Sequence, residues 1–533
     1  MSGPSNKAIA AALKEIETLM LVLGWDDRRA LHYGSSSRRV EEHGEPLAEM
    51  EPSDWTNIKG IGPKMQTLIG ELLRTGTIAM RDDLAEQAGA GVIEMLRIRG
   101  FGAKKIHVLT RELGVRSPAE LRAAAADGRV AALGGFGAKS AQKILDGLEY
   151  LEQTRGRLRI STAAELCERW IARLGLSDAH IAGPVRRGEP VIDRLAIVCA
   201  GQPQDPGLPG AELQGDTLVV PAGEHPELRL RWTDAAGLAR ALFEETGPTD
   251  HVEAVLGRAG SDASEEEIYS SRGLHFVPPE RRHACDGSEP VPALVTREQL
   301  KGMVHTHTTW SDGTLSVSEM ATEAAARGYE YLVITDLSPV AVYANGLSIE
   351  RLQEQATQIR ELNHNSSIRI LHGTEVDILP DGALDYPDEV LAELDCVIAS
   401  IHSVFTQDAG TITERVLRAV RHPHVDILGH ATGRLVLRRD GYAVDMQRVL
   451  DAAAEAGTLV ELNASPWRLD LAPEHHARAR ELGIGVPIGP DAHSAAGMDD
   501  NRWGVAAARH GGLRPEDVPN CGDVDAFLGA LKQ

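Results

Sequence analysis

Lys301-Gly302-Met303-Val304-His305-Thr306-His307 is a short apolar run that ends in two imidazoles. Read as a buried strand, it delivers polar side chains to one end of a sheet. The same arrangement recurs downstream. Tyr331 to Ile334 leads to Asp336, Ile368 to Leu371 leads to Glu375, and Val397 to Ile401 leads to His402. Val425 to Leu428 leads to His430, Thr458 to Leu462 to Asn463, and Val486 to Ile488 to Asp491 and His493, with helical stretches between the runs. Seven strand-plus-helix units predict a barrel of parallel strands over 300–533, whose C-terminal strand ends converge on one mouth. His305, His307, Asp312, Glu375, His402, His430, Asp491 and His493 would meet there. Imidazoles and carboxylates without thiolates suit zinc, manganese or iron, and eight such residues are too many for one ion. His422 and His424 precede a strand end and read as surface residues.

A chain of 533 residues exceeds a single hydrophobic core, so several domains are expected. Its 55 basic and 78 acidic residues give a formal charge of -23, which excludes a protein that coats DNA by bulk electrostatics. Residues 1–150 hold 20 of each sign, leaving 35 basic and 58 acidic after them, so the N-terminal part is the better candidate for touching phosphates. The five cysteines are scattered, with no Cys-x-x-Cys pair, which fits a reducing compartment. Met1 to Lys14 has no apolar core of signal-peptide length, and no stretch approaches the roughly 18 apolar residues of a membrane span. A cytoplasmic protein is expected, and a monomer, since no heptad repeat calls for assembly.

Three segments of the first third resemble one another. They are Ile58-Lys59-Gly60-Ile61-Gly62-Pro63-Lys64, Ile98-Arg99-Gly100-Phe101-Gly102-Ala103-Lys104 and Leu133-Gly134-Gly135-Phe136-Gly137-Ala138-Lys139, each before an amphipathic helical run. The glycines permit a tight turn that leaves backbone N–H groups at the next helix's start, where a DNA phosphate can sit, and a lysine follows. Basic residues outnumber acidic ones between Arg97 and Lys143. The segments resemble the helix-hairpin-helix motif, which grips DNA backbone without reading bases. Phosphate contact also accounts for Lys59 and Lys64, and no lysine stands out for lyase chemistry.

The middle, about 156–292, carries Gly183-Pro184-Val185-Arg186-Arg187-Gly188, then Asp193 before a strand Leu195 to Val198, then Glu227-Leu228-Arg229-Leu230 and Thr246-Gly247. This order resembles the palm and thumb of a family X DNA polymerase. The resemblance implies a phosphate-holding loop and three carboxylates on two magnesium ions, as two-metal phosphoryl transfer requires. The sequence departs from it: Pro184 replaces the loop serine, Leu195 the second carboxylate, Glu227 stands for the third, and Glu244-Glu245 replaces an aromatic pair. A degenerate polymerase site is expected, with magnesium binding in doubt and Arg186 and Arg187 either holding DNA ends or forming a solvated pair.

Val304-His305-Thr306-His307, Ser311-Asp312-Gly313, Gly373-Thr374-Glu375, Ser400-Ile401-His402-Ser403, Gly429-His430 and Pro490-Asp491-Ala492-His493-Ser494 resemble the polymerase and histidinol phosphatase (PHP) domain. The whole order is similar to a bacterial family X DNA polymerase with a C-terminal PHP domain. The fold implied is multidomain α/β. A helical DNA-binding domain (1–85) and a second helix-hairpin-helix domain (86–155) come first, then a degenerate palm (156–235), a thumb-like domain (236–292) and a distorted (β/α)7 PHP barrel (300–533). The resemblance implies metal-dependent phosphoesterase chemistry, a 3′-to-5′ exonuclease in DNA repair, with abasic-site incision and 3′-phosphate removal as companions.

By position, His305, His307, Glu375 and Asp491 would hold one metal; Glu375, His402 and His430 a second, with Glu375 bridging; Asp312 and His493 would contribute to a third. His305, His307, Glu375, His402, Asp491 and His493 are the catalytic candidates, and Arg434 and Arg468 candidate phosphate clamps. The family's Thr-Asp-His-Ser reads Thr335-Asp336-Leu337-Ser338, so a weak third site is expected. Gapped or 3′-ended DNA, bound without sequence preference through Gly60, Gly62, Lys64, Gly100, Gly102, Lys104, Gly135, Gly137 and Lys139, is the expected partner. Two other readings stay open: an active gap-filling polymerase with the barrel as proofreader, and a noncatalytic scaffold for DNA ends.

Overall fold

A computed structural model describes residues 6–532 apart from 42, 44, 99, 177, 203–209 and 224. The chain forms two compact units, Met1–Arg155 and Gly156–Gln533.

The first unit is helical. Its first helix, Asn6–Val22, buries Ile9, Leu13, Ile16 and Met20, spaced four, three and four residues apart, so one stripe faces the core. The helices Asp27–Glu41, Pro63–Thr75, Ala79–Ala88, Ala103–Leu113 and Ala138–Gln153 add Tyr33, Ile69, Leu84, Leu109 and Ile144 to the same apolar cluster. Among the described residues of the chain, no helix is long and apolar enough to cross a membrane.

The second unit opens with the helix Ile160–Arg173 and a five-stranded sheet. Its strand order is Ala179–Ile181, Arg194–Ala200, Glu227–Thr233, Thr217–Val220 and Glu212–Gln214. Arg194–Ala200 and Glu227–Thr233 run parallel, with Arg194 opposite Glu227 and Leu195 opposite Leu228. The helices Leu238–Thr246, Thr249–Leu256 and Glu265–Ser270 follow.

The rest is a curled parallel sheet in which neighbours in sequence are neighbours in space: Gly302–Thr306, Tyr331–Ile334, Arg369–Asp377, Cys396–Ser400, Ile427–Leu428 and Leu459–Val460. Leu462–Asn463 then pairs with Ile488–Gly489. The next turn returns to the first strand, where His307 N donates to Ala492 O (2.9 Å). Helices cover the outside and start at side-chain caps such as Ser316 with Glu319, Ser348, Asp408 and Asp445. The barrel is distorted because its last strands are two-residue ladders and one of its helices, Asp388–Leu391, is a single turn.

One apolar cluster runs through this unit, from Leu195, Ile197 and Leu228 of the five-stranded sheet to Leu332, Ile370 and Ile488 of the barrel. The half-buried Glu265 accepts from Arg186 and from Arg282 Nη2 (2.8 Å), whose side chain is fully enclosed. Burial opposes the charge on Glu265, but the two guanidiniums outweigh it and hold its carboxyl below the usual range. Its stabilisation is therefore complete above the ordinary glutamate pKa and is lost as pH falls through the depressed folded value. Removing one partner strands the other charge, at a cost of about 3–5 kcal/mol. Glu265→Gln is expected to lower the melting midpoint of this unit at pH 7, and the gap to the unsubstituted chain is expected to narrow towards pH 3.

Candidate metal centre

The strand ends bring together all eight residues singled out at the mouth, and Glu375 lies at their centre. Glu375 Oε2 is 3.4 Å from His305 Nε2 and 3.6 Å from His307 Nε2. Its other oxygen, Oε1, is 3.2 Å from His402 Nε2 and 2.9 Å from His430 Nε2. Asp491 Oδ1 approaches His305 Nε2 (3.6 Å) and His307 Nε2 (3.2 Å), and Asp312 Oδ1 lies 3.3 Å from His493 Nε2. Three clusters result, His305/His307/Asp491, Glu375/His402/His430 and His307/Asp312/His493, each with its ligand atoms within 4.8 Å of one another. Leu337 is buried and packs on Ala341 and Ala344, adding no ligand to the third.

The backbone bends sharply to aim these groups. His305, His430 and Asp491 adopt left-handed φ of 64°, 24° and 55°. Such positions in non-glycine residues cost roughly 1–3 kcal/mol each and persist where surroundings fix them. Thr306 N donates to Thr335 Oγ1 (3.1 Å) and Thr306 Oγ1 to Val333 O (2.9 Å), which fixes the first bend. Asp336, read from sequence as a strand-end residue that could face the site, instead receives Thr308 N (2.7 Å), Thr308 Oγ1 (2.7 Å), Ser311 Oγ and Gln355 Nε2 (2.6 Å). It pins the turn that carries His307 and Asp312.

A second layer of carboxylates orients the imidazoles. Glu461 Oε1 is 2.5 Å from His305 Nδ1, and its Oε2 accepts from His430 N (2.8 Å). Asp377 Oδ2 is 3.2 Å from His402 Nδ1, and the Asp491 carbonyl is 2.9 Å from His493 Nδ1. The Nε2 atoms of His305 and His402 are thereby turned inward. Sequence reading passed over Glu461 and Asp377. Both carried a signal: Glu461 is an acid inside the apolar run Leu459 to Leu462, and Asp377 stands two residues after Glu375 on the same strand.

The electrostatics reflect crowding of opposite charges among buried groups. Burial works against a charge on His305, yet Glu461, Glu375 and Asp491 raise its pKa well above normal. Burial likewise opposes His402, which Glu375 and Asp377 lift to about 10. Burial, then Arg468, lowers His430 to about 3. Glu375 and Asp491 are driven well below the carboxylate range by the neighbouring imidazoles, against the effect of burial.

This donor set fits divalent cations. The buried nitrogens His305 Nε2, His307 Nδ1, His307 Nε2 and His430 Nδ1 have no hydrogen-bond partner, a cost of roughly 1–3 kcal/mol each if nothing completes them. The nitrogen-to-oxygen spacings of 3.2–3.6 Å around His305, His307, Glu375 and Asp491 match the roughly 3.4 Å between ligands about 2.1 Å from a tetrahedral ion. Of the two arginines considered as clamps, Arg434 donates to the carbonyls of Arg468 (2.8 Å) and Leu469, and Arg468 Nε lies 3.3 Å from Asp491 Oδ2.

The five-stranded sheet is organised differently. Paired residues of neighbouring strands share a face and successive ones alternate, so Glu227 lies with Arg194 on the face opposite Leu195. Asp193 is exposed just before the strand, and among the described residues no cluster of three or more possible metal ligands includes Asp193 or Glu227. Instead Arg194 Nη1 and Arg229 Nε each lie 3.5 Å from Glu245 Oε2, and Arg231 Nη1 is 2.7 Å from Glu244 Oε2. Arg186 is taken up by Glu265 and Thr246, and Arg187 by Glu189 and the Thr246 carbonyl.

In the helical unit the three glycine turns share one geometry. Gly60, Gly100 and Gly135 have φ of 94°, 76° and 85°, a region closed to most side chains. Gly62, Gly102 and Gly137 then cap the helices Pro63–Thr75, Ala103–Leu113 and Ala138–Gln153 in extended backbone. A Cβ at any of these three would meet nothing within 4 Å, so internal packing does not demand glycine there. Lys64, Lys104 and Lys139 stand exposed in the first turns, with Lys104 paired to Asp27 (2.5 Å). Arg99 lies outside the described residues.

Family comparisons agree with this layout. A model described as "Helix-hairpin-helix domain" matches residues 4–78, "SAM-like Helix-hairpin-helix tandem" matches 92–149, and "PHP domain" matches 303–465. A "Probable phosphatase" of Thermoanaerobacter sp. (strain X514) is 29% identical over 244 residues, covering 43% of this chain and 93% of its own. A crystal structure from Listeria monocytogenes described as a "putative histidinol phosphatase" aligns with a TM-score of 0.32 at 16% identity, over 37% of this chain and 97% of that one. The "DNA polymerase/3'-5' exonuclease PolX" of Bacillus subtilis (strain 168) is 35% identical over 567 residues, covering 98% of this chain and 99% of its own. With helix-hairpin-helix turns at one end and a histidine- and carboxylate-lined barrel at the other, the chain belongs to the bacterial family X DNA polymerases that carry a PHP domain.

Proposed function

We propose that this protein is a DNA 3′-to-5′ exonuclease and 3′-end phosphoesterase whose working centre is the barrel, and that its polymerase site is inactive. The observation that carries the proposal is Glu375, whose two oxygens face separate imidazole pairs that hold unpartnered buried nitrogens. His305, His307, Glu375 and Asp491 would hold one divalent cation, and Glu375, His402 and His430 a second. His307, Asp312 and His493 would make a weaker third site, because Leu337 stands where the family supplies an imidazole. Manganese, zinc or iron suits these donors. Bound there, such ions supply Lewis-acid neutralisation of a phosphodiester and acidify an attacking water. Glu461 and Asp377 hold His305 and His402 in the orientation that keeps their Nε2 atoms inward. When the third site is empty, His493, the most exposed of the imidazoles, can carry a proton on Nε2 to the leaving 3′-oxygen. The Bacillus relative's name, which includes a 3′-5′ exonuclease, supports the reading.

The inactive-polymerase half rests on charge. The family's carboxylate positions hold Asp193, Leu195 and Glu227 here, its aromatic pair is Glu244-Glu245, and Arg194, Arg229 and Arg231 of the sheet pair with those two acids. Leu195 offers magnesium no ligand, and Glu244 and Glu245 are taken up by guanidiniums. The phosphate loop is also closed: a Cβ at Gly188 would fall 2.6 Å from Ala506 O, and His510 lies 2.9 Å from Arg187 O. DNA is held without sequence preference by the three glycine turns, whose open space at Gly62, Gly102 and Gly137 fits the close approach of a phosphate. The work proposed is trimming of DNA ends in repair, in the cytoplasm.

With manganese, the four nucleotides and a 5′-labelled primer on a gapped template, shortened products are expected, and none from a Glu375→Gln variant. Extended products would overturn the inactive palm, and an intact primer the nuclease. Gly102→Ala with Gly137→Ala is expected to leave the melting midpoint nearly unchanged, within about 1 kcal/mol of stability. The same pair should weaken binding of random-sequence duplex several-fold in fluorescence anisotropy; undiminished binding would remove the hairpins from the DNA contact.

A further inference from the structure

The loop 337–347 at the barrel mouth exposes apolar side chains: Val342 is 81% exposed, Tyr343 75% and Val340 46%. The loop is firmly built. Leu347 N donates to Leu337 O (2.8 Å), Gly346 N to Ala341 O (3.1 Å) and Val340 N to Asp385 Oδ2 (2.7 Å), around the buried Leu337, Ala341 and Ala344. It is tied to the metal centre on both flanks. Ser338 N donates to Glu375 O (3.1 Å), Asp377 N donates to Ser338 Oγ (3.0 Å), and Asn345 Nδ2 donates to Trp310 O (3.0 Å), two residues before Asp312. Tyr343 is thus carried between the strand of Glu375 and the turn of Asp312. Partial enclosure and the carboxylates of Asp377, Glu375 and Asp312 together raise its phenol pKa, which agrees with that position.

We infer that Tyr343 is a stacking platform for the unpaired base of the nucleotide at the scissile phosphate. This rests on the barrel being the phosphoesterase. A fixed loop presenting a phenol ring beside a phosphate-binding cluster suits a nucleobase, because every base offers a π-face and stacking is indifferent to sequence. Among the described residues no ring or guanidinium covers Tyr343. Of the other exposed aromatics among the described residues, Trp467 already has Arg159 3.2 Å from its ring centroid and Phe276 packs edge-on with Tyr269. Leu337 gives the platform its anchor: at the position of the family's missing imidazole, an apolar side chain now roots the loop.

The test compares single-stranded oligonucleotides ending in a normal nucleotide or in a baseless one, for the full-length protein and for Tyr343→Ala and Tyr343→Trp. The unsubstituted protein is expected to show a KM roughly five- to hundredfold lower for the base-bearing end. That preference should collapse towards one in Tyr343→Ala and survive in Tyr343→Trp, with kcat changing less than KM. An undiminished preference in Tyr343→Ala overturns the inference. A 3′-terminal 2-aminopurine behind a nuclease-resistant phosphorothioate gives a readout without turnover. Its fluorescence should be quenched by the unsubstituted protein and not by Tyr343→Ala, and equal quenching by both overturns the platform. If no substrate is cleaved but the quenching still depends on Tyr343, the nuclease reading fails and the base platform stands.

Discussion

Glu375 is a buried carboxylate shared between two pairs of imidazoles, and much of the barrel serves to keep it there. Such a group is costly unless charge or hydrogen bonds compensate it. The compensation is layered. Imidazoles face its oxygens, Glu461 and Asp377 face the far nitrogens of His305 and His402, and Asp336 fastens the turn beneath His307. Left-handed backbone at His305, His430 and Asp491 is tolerated within this network. A mouth so crowded with unpartnered donors is organised for cations.

The five-stranded sheet shows the opposite outcome of the same electrostatic rules. Its strand arginines would repel one another if left alone, and the acids at 244 and 245 neutralise them. The result is a lattice of ion pairs between strand arginines and helix acids. The sheet remains continuous with the barrel through one apolar cluster, so its structural contribution persists apart from any chemistry.

Much of the architecture was legible because it follows from short-range patterns. Apolar runs ending in polar residues marked the barrel strands, and the repeated glycines marked the hairpins. The eight residues at the mouth were readable for the same reason, since strand ends in a parallel barrel must converge. The missed features depend on register and partner choice. Glu227 passes as a third carboxylate until pairing with Arg194 places it on the other face. Asp336 and Arg434 look like site residues by position, and only their hydrogen bonds show them to be braces. Glu244 and Glu245 read as damage to a sugar pocket, whereas in three dimensions they complete an ion-pair lattice.

The central claim is that Glu375 bridges two cation sites. Anomalous diffraction from crystals soaked in manganese tests it most directly. Two strong peaks flanking Glu375 are expected, one by His305, His307 and Asp491 and one by His402 and His430. A single peak remote from Glu375, or none at either cluster, would contradict it.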